Sequence, residues 1–386
     1  MAEGKELNRR DFLKTASVGA IAAGAAATAS AQDAKLEHRN EQPDQMRYTR
    51  LGRTNMNVSV IGYGAMFIST DQNNARIIDM ALERGVNYVD TAWAYTKQQS
   101  ETEIGKLLSG KRDKFFLTTK VSPYRGKRGA MLGDIAKGLP KQEQEELQKK
   151  ATALAIEMGA SEEALKAGGR KARHSRRILG QARMKLLDQQ YGDKLDKNAL
   201  VGVIEQSLEE SLTRLKTDHV DVLFLPHGLD SPDHARYPDV REAWEKIKKS
   251  GKARFLGAPN HRDTVATYEA CIESGIYDIL MPCYCPLNYN EPEDQDSVLA
   301  KAKAKDIGIV AMKTIGSKAR DRRYKDKETG KTFPERIEAM VKGAGTPYQK
   351  SIAWVLNRPN IDMALVGMSN QQELDEDLGA LKVKLG

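Results

Sequence analysis

Cysteine is scarce in this chain: three in 386 residues, at Cys271, Cys283 and Cys285. That excludes a disulfide framework. Cys283 and Cys285 stand two apart in a strand-like run, share a face, and read as buried thiols. No C-x-x-C pair and no His/Cys cluster has metal-ligand spacing, so no metal is expected. A long apolar run is lacking too. The longest mild one, Thr15 to Ala27, is Ala/Gly-rich and too short to span a bilayer. No G-x-G-x-x-G opens a helix, which weakens the case for an open, doubly wound dinucleotide-binding sheet.

What is present divides into three parts. Residues 1–31 read as a targeting segment, set apart from the fold. Asn8-Arg9-Arg10-Asp11-Phe12-Leu13-Lys14 precedes the weak apolar run, and Ala29-Ser30-Ala31 supplies small residues for cleavage before Gln32. The paired arginines with Phe-Leu-Lys resemble a twin-arginine signal, the route for proteins that fold before crossing a membrane. A disordered basic tail is the plainer alternative. Export would place the protein in the periplasm or elsewhere outside the cytoplasm, with the twin-arginine machinery as a partner and no stable membrane anchor. Residues 32–46 are polar, without apolar period, and read as a linker.

From Arg47 the pattern becomes regular. A small hairpin is expected over Arg47–Leu51 and Met56–Ser59. Eight continuous apolar runs follow, the mark of strands buried on both faces of a parallel sheet. They are Val60–Met66, Tyr88–Asp90, Phe115–Val121, His219–Leu225, Ala253–Ala258, Asp278–Tyr284, Gly308–Met312 and Met363–Gly367. Each is followed by a helical pattern. Eight such units over residues 47–386 predict an α/β fold, a closed (β/α)8 barrel of the TIM type. One segment breaks the rhythm: residues 121–198, where a short loop would suffice. It holds 17 Lys+Arg against 10 Asp+Glu, whereas the whole chain nets only +8. Lys141–Met158 and Ser161–Gln189 have helical composition there. A solvated basic face is the plain reading, and an acidic partner or substrate the sharper one. Nucleic acid does not fit, since aromatics are not interleaved with the basic residues. Lying after the third strand, the insertion is expected on the catalytic face as a lid.

The chemistry gathers at strand ends. Asp90 ends the second strand, Tyr95 follows in a turn, Lys120 ends the third strand and His227 follows the fourth. In such barrels these ends form one mouth. Taken singly, Asp90 could cap a helix, Tyr95 could be a rim aromatic, and Lys120 and His227 could be solvated or satisfied loop groups. Together they suit proton delivery to a carbonyl oxygen. Tyrosine titrates near pH 10, and a neighbouring ammonium is expected to draw that value down. Asp90 would keep the lysine charged, at roughly 4 kcal/mol for a pair about 4 Å apart at an effective dielectric of 20. A neutral His227 would donate to the substrate oxygen and orient it.

At these residues the chain resembles the aldo-keto reductases, over nearly all of residues 47–382. The matching marks are V-D-T-A-x-x-Y with S-E-x-x-x-G (Ser100, Glu101, Gly105), L-T-T-K ending at Lys120, and D-x-x-D-V-L-F-L-P-H ending at His227. Gly251 to Asn260, Ile307 to Met312 and Gly367 to Leu378 continue the match. The resemblance implies an NAD(P)-dependent oxidoreductase, with Asp90, Tyr95, Lys120 and His227 as a catalytic tetrad and Tyr95 the proton donor. It implies a substrate wall at Trp93 and a small-molecule carbonyl, alcohol or sugar-type substrate. For NADP or NAD it implies contacts from Gly64, Ala65, Met66, Asn260, Met281, Met312, Lys313, Ile315, Gly316, Ser369 and Asn370.

The departures fall on the hydride-donor side. Met281 stands where a glutamine usually holds the nicotinamide amide, and Met312 where a tyrosine often stacks on the ring. Pro259-Asn260 replaces the frequent Ser-Asn. Pro226 adds one residue before His227. Ser369 and Glu373 stand where cations usually clamp the 2′-phosphate, which leaves NAD open, as well as tight, non-exchanging binding. A second class of function stays in play on these grounds: a barrel that binds a ligand or partner without catalysis.

Overall fold

The computed structural model describes residues 35–70, 74–107, 109–169, 172–261, 264–287, 292–316, 325–326 and 329–386. Residues 1–31, expected to be a targeting segment, lie outside them. The chain opens with an antiparallel hairpin, β1 (Tyr48–Arg50) and β2 (Asn57–Ser59), with Thr49 opposite Val58. Eight parallel strands follow: β3 (Ile61–Gly64), β4 (Tyr88–Asp90), β5 (Phe116–Lys120), β6 (Val220–Phe224), β7 (Ala253–Asn260), β8 (Ile279–Pro282), β9 (Gly308–Ala311) and β10 (Met363–Val366). They close in sequence order, with β10 pairing both β9 and β3. The expected barrel is the observed one.

Strand alternation decides which chemistry faces inward. Tyr88, Phe116, Val222, Phe224, Ile279, Val310 and Met363 form one buried cluster inside the barrel, joined at the floor by Leu51, Met56 and Val58 of the hairpin. The intervening Ile61, Val89, Leu117, Leu223 and Ala364 belong to the outer cluster under the helices. Tyr88 faces in, so Asp90 does; Phe116 faces in, so Thr118 and Lys120 do. Close approach is enforced by glycine at Gly52, whose φ is +48° and where a Cβ would lie 2.3 Å from the Gly308 nitrogen. This lets the hairpin seal the barrel floor.

The outer helices are α1 (Arg76–Glu83), α2 (Gln99–Leu107), α7 (Lys197–Leu215), α8 (Pro238–Ser250), α9 (Thr264–Ser274), α10 (Pro292–Ala304), α11 (Phe333–Met340), α12 (Pro347–Leu356) and α13 (Gln371–Gly379). Between β5 and α7 the insertion adds α3 (Pro123–Gly138), α4 (Lys141–Glu157), α5 (Glu162–Ala167) and α6 (Arg173–Tyr191). The helix expected over Ser161–Gln189 is therefore two. Gly168 and Gly169, with φ of +69° and +72°, end the first piece. Ala155, Ala160, Ile178 and Ala182 form the insertion's own small core. Arg173, Arg176, Arg177 and Lys185 are exposed.

Residues 35–46 do not behave as the linker their polarity suggested. Glu37 bonds through its backbone to Asn55 and Asn57, and Met46 is buried. Arg39 reaches the fully buried Asp221, which also holds Arg112 at 2.7 Å, Arg254 at 2.6 Å and the Leu117 N–H at 2.8 Å. Charge rather than apolar period binds this segment to the barrel. Among the described residues no helix is long and apolar enough to cross a membrane.

Candidate active site

The inward turn of Asp90 and Lys120 brings an ion pair to the barrel mouth. Lys120 Nζ lies 2.5 Å from Asp90 Oδ2 and donates also to the Thr91 carbonyl at 2.8 Å. Thr118 donates to the other Asp90 oxygen at 2.7 Å. Both side chains of the pair are only 2 % exposed. Burial pulls the lysine's pKa down, but Asp90 and Tyr95 outweigh it and the value rises, so the ammonium stays charged.

The ammonium sits 4.8 Å from the centre of the Tyr95 ring. Here the sequence expectation fails in sign: the Tyr95 pKa is raised. Burial is the largest cause, and the lowering by Lys120 only partly offsets it. The phenol is thereby kept protonated, a donor rather than a nucleophilic phenolate. Three residues directly after it, Thr96, Lys97 and Gln98, have φ of 46°, 54° and 72°. Left-handed backbone at non-glycine residues costs about 1–3 kcal/mol each and persists only when the surroundings enforce it. Thr96 supplies that hold, donating to the Ile68 carbonyl at 2.6 Å and accepting from the Ser100 N–H at 3.1 Å.

His227 faces Tyr95 edge-on, ring centres 6.0 Å apart. The added Pro226, joined through a cis peptide to Leu225, has not carried it away from the mouth. Burial, then Lys120 and His261, depress its pKa to about 3, so the ring is neutral. Its Nδ1 is 2.7 Å from the Ser122 hydroxyl.

These four side chains line one cavity of about 320 Å³, within the size range of small-molecule sites. Gly64, Met66, Met281, Met312, Lys313, Ile315 and Gly316, all expected around a cofactor, line it too. Ala65 is buried beneath it, its carbonyl accepting from Ser100. Asn260 lies in the layer behind, donating to the Leu229 carbonyl and accepting from Thr264. Ser369 and Asn370 stand outside, at the start of α13, where Asn370 caps the helix.

Trp93 is a correction: it does not line the cavity. Its indole N–H donates to Glu210 at 3.3 Å and its ring lies under Arg214, so it turns toward α7. The lid is a second correction. No described residue of 123–198 lines the cavity. The insertion instead packs beside α7, tied to the barrel by Arg128, which pairs with Asp188 at 2.7 Å and Asp239 at 3.2 Å. A second cavity of about 410 Å³ lies at that seam, and its cations are paired: Arg128 as above, Lys197 with Glu242, and Arg236 with Glu273.

Other cavity residues had not been assigned to the site from the sequence: Phe67, Pro259, His261, Thr314 and the β10 end from Leu365 to Gly367. Phe67, His261 and Thr314 come from connecting segments without period, whereas Pro259, Leu365 and Val366 lie at the ends of β7 and β10. His261, beside Asp230, has its pKa lowered to about 4 by burial and by Lys313.

One wall is fitted to a flat ligand lying on backbone. Gly64, Gly316 and Gly367 expose backbone to the cavity; a Cβ on Gly367 would come within 3.3 Å of the Phe67 ring, and Gly316 has φ of +73°. The two thioethers, Met281 and Met312, supply soft apolar contact. A nicotinamide fits this wall. At the far end, the Glu373 carboxylate accepts from the Ser369 N–H at 2.7 Å and its hydroxyl at 2.8 Å. An acid thus occupies the helix start where a phosphate would sit. Among the described residues no group of three or more His, Cys, Asp or Glu could hold a metal.

A closed parallel barrel with a buried Lys–Asp pair, a phenol and an imidazole at its mouth defines a barrel oxidoreductase class. The aldo/keto reductase family pattern matches residues 60–153 and 151–386. The chain belongs to that family. It is similar to an uncharacterized oxidoreductase of Bacillus subtilis, YqkF, at 24 % identity over 351 residues, covering 88 % of this chain and 92 % of the relative. Among solved structures, an aldo-keto reductase from Bacillus halodurans in its holo form superposes with a TM-score of 0.56 at 19 % identity, covering 88 % of this chain and 92 % of that one. Another from Klebsiella pneumoniae, in complex with NADPH, gives 0.54 at 18 %, covering 88 % and 91 %.

Proposed function

We propose that this protein is an exported reductase of small carbonyl compounds, using a nicotinamide cofactor and Tyr95 as the proton donor. The observation that carries this reading is the convergence of Tyr95, the Asp90–Lys120 pair and neutral His227 on one cavity with a bare-backbone wall. A reduced nicotinamide held on that wall would supply hydride to the carbonyl carbon. The chain's own groups handle the proton. Tyr95 delivers it to the carbonyl oxygen, and Lys120 stabilises the phenolate left behind. Asp90 keeps Lys120 charged through that change. His227 holds the oxygen in place for transfer.

The Glu373 carboxylate at the start of α13 supports NAD over NADP, because a 2′-phosphate there would have to displace an anion. The paired arginines Arg9-Arg10 with Phe12-Leu13-Lys14 and the following weak apolar run support export in the folded state. Outside the cytoplasm free nicotinamide is scarce, so we read the cofactor as retained and recycled between two substrates.

Two measurements test this. Tyr95→Phe should lower aldehyde reduction by about 10²–10⁴-fold, with cofactor binding and melting temperature unchanged; full activity in that variant refutes the mechanism. Purified mature protein should carry nicotinamide detectable by mass spectrometry. Absence of bound nicotinamide, with no binding at millimolar concentration, would favour the non-catalytic binding barrel that Met281 and Met312 suggest.

A further inference from the structure

The insertion reaches the catalytic centre by an unexpected route. Its first turn, rather than its body, touches the histidine loop. Ser122 precedes α3 at the capping position, yet its hydroxyl makes no cap bond. It points at His227 Nδ1, 2.7 Å away. One turn on, Arg125 donates to the Gly228 carbonyl at 3.0 Å and to Asp230 at 3.0 Å. Gly228 itself has φ of +85°. The His227 backbone N–H donates to the Val121 carbonyl at 3.0 Å. The loop carrying the imidazole is thus held at three points by the chain that opens the insertion.

A neutral imidazole carries its proton on one nitrogen and a lone pair on the other. Two arrangements satisfy the short contact. In one, Ser122 donates to Nδ1 and the ring proton sits on Nε2, on the opposite edge, toward the cavity. In the other, Nδ1–H donates to Ser122, the serine proton is left outside the cavity, and a bare lone pair faces the substrate oxygen. Ser122 has no other bonding partner among the described residues. The first arrangement gives its proton an acceptor and leaves the spare donor where a carbonyl oxygen can take it. The second sets two lone-pair-bearing atoms against each other at the reacting group.

We propose that Ser122 is a positioning residue that fixes His227 as the Nε2–H tautomer, through an insertion whose first turn is built onto the histidine loop. The role rests on the carbonyl-reductase reading, but its central test does not need turnover. The full chain has six histidines, so long-range proton–nitrogen NMR of histidine-labelled protein can resolve the His227 ring, identified by its loss in His227→Asn. The expected result is a protonated Nε2 and an accepting Nδ1 in the parent and in Ser122→Thr, and a mixture of tautomers in Ser122→Ala. A protonated Nδ1 in the parent, or an unaltered ring in Ser122→Ala, overturns the proposal even if the enzyme reduces aldehydes. With 4-nitrobenzaldehyde as probe, Ser122→Ala should lower kcat about tenfold, the order of one hydrogen bond's net worth, with KM less affected and Ser122→Thr restoring the rate. If the tautomer follows these expectations while the parent shows no reduction, the tautomer assignment stands and the reductase reading falls.

Discussion

Two buried carboxylates in this barrel are treated in opposite ways. Asp221 at the floor is saturated: three arginines and a backbone N–H converge on it. Asp90 at the mouth has one lysine and one threonine hydroxyl. Burial pushes the Asp221 pKa up, but Arg112 and Arg39 more than offset this and hold it below the usual carboxylate range. The floor spends its charges on each other. At the mouth, Lys120 has a second face left over for Tyr95, and that unspent face is what makes the pair chemical rather than structural.

The strongest separation should come from removing each cluster. Replacing the mouth pair together, Asp90→Leu with Lys120→Met, should cut aldehyde reduction by about 10²–10⁴-fold while leaving stability unchanged or raised by about 1–4 kcal/mol. Asp221→Ala removes a fully buried anion, leaving the part-buried Arg112 without its carboxylate and Arg39 and Arg254 with Glu37 alone. It should cost about 3–5 kcal/mol in urea unfolding without changing the turnover of the folded fraction. If the mouth variant is the less stable of the two, the comparison is wrong.

Acid offers a subtler separation. His227, His234 and His261 are held neutral, with pKa values of about 3, 4 and 4, against about 6.5 unfolded. Below pH 6.5 the unfolded chain binds protons that the folded one refuses, so stability falls as pH drops from 6.5 toward 4. Asp221 is depressed in the fold, so its contribution is present above the unfolded value near 3.9 and is lost only as pH falls through its lower folded value. Urea unfolding against pH should therefore show a loss between 6.5 and 4 that is reduced in His227→Asn with His261→Asn, and a further loss below 4 that is smaller in Asp221→Asn. The smallest effect belongs to the cofactor end. Glu373→Gln should raise the preference for NADPH over NADH roughly fivefold, as for one partly exposed charge worth about 1 kcal/mol, measured as the ratio of dissociation constants.

The barrel was legible in the sequence because each strand is buried on both faces and so reads as an unbroken apolar run. Asp90, Lys120 and His227 were legible because strand ends converge in any such barrel. Other features carried no period. Trp93 sits in a turn whose direction neither alternation nor helical spacing sets. The held tyrosine loop, His261 and Ser122 belong to connecting segments for the same reason. Residues 35–46 were misread because their attachment is made mainly by Glu37 and Arg39, with Met46 a single apolar anchor that sets no period. The break within Ser161–Gln189 was written plainly in Gly168-Gly169, and helical composition on either side masked it. The Tyr95 pKa failed for an energetic reason: proximity to an ammonium is visible in a motif, whereas depth of burial is not.

The floor contacts also impose an order in time. Arg39 meets Asp221, 182 positions further along the chain, and Glu37 meets Arg254, 217 positions further along. The segment that leaves the ribosome before the rest of the described chain therefore cannot settle until β7 has been made and placed. Contacts of such long sequence separation close late, since the chain must lose the entropy of the large loop before it gains the bonds. The arginine at position 39 thus acts as a completion latch, engaged only when most of the barrel already exists.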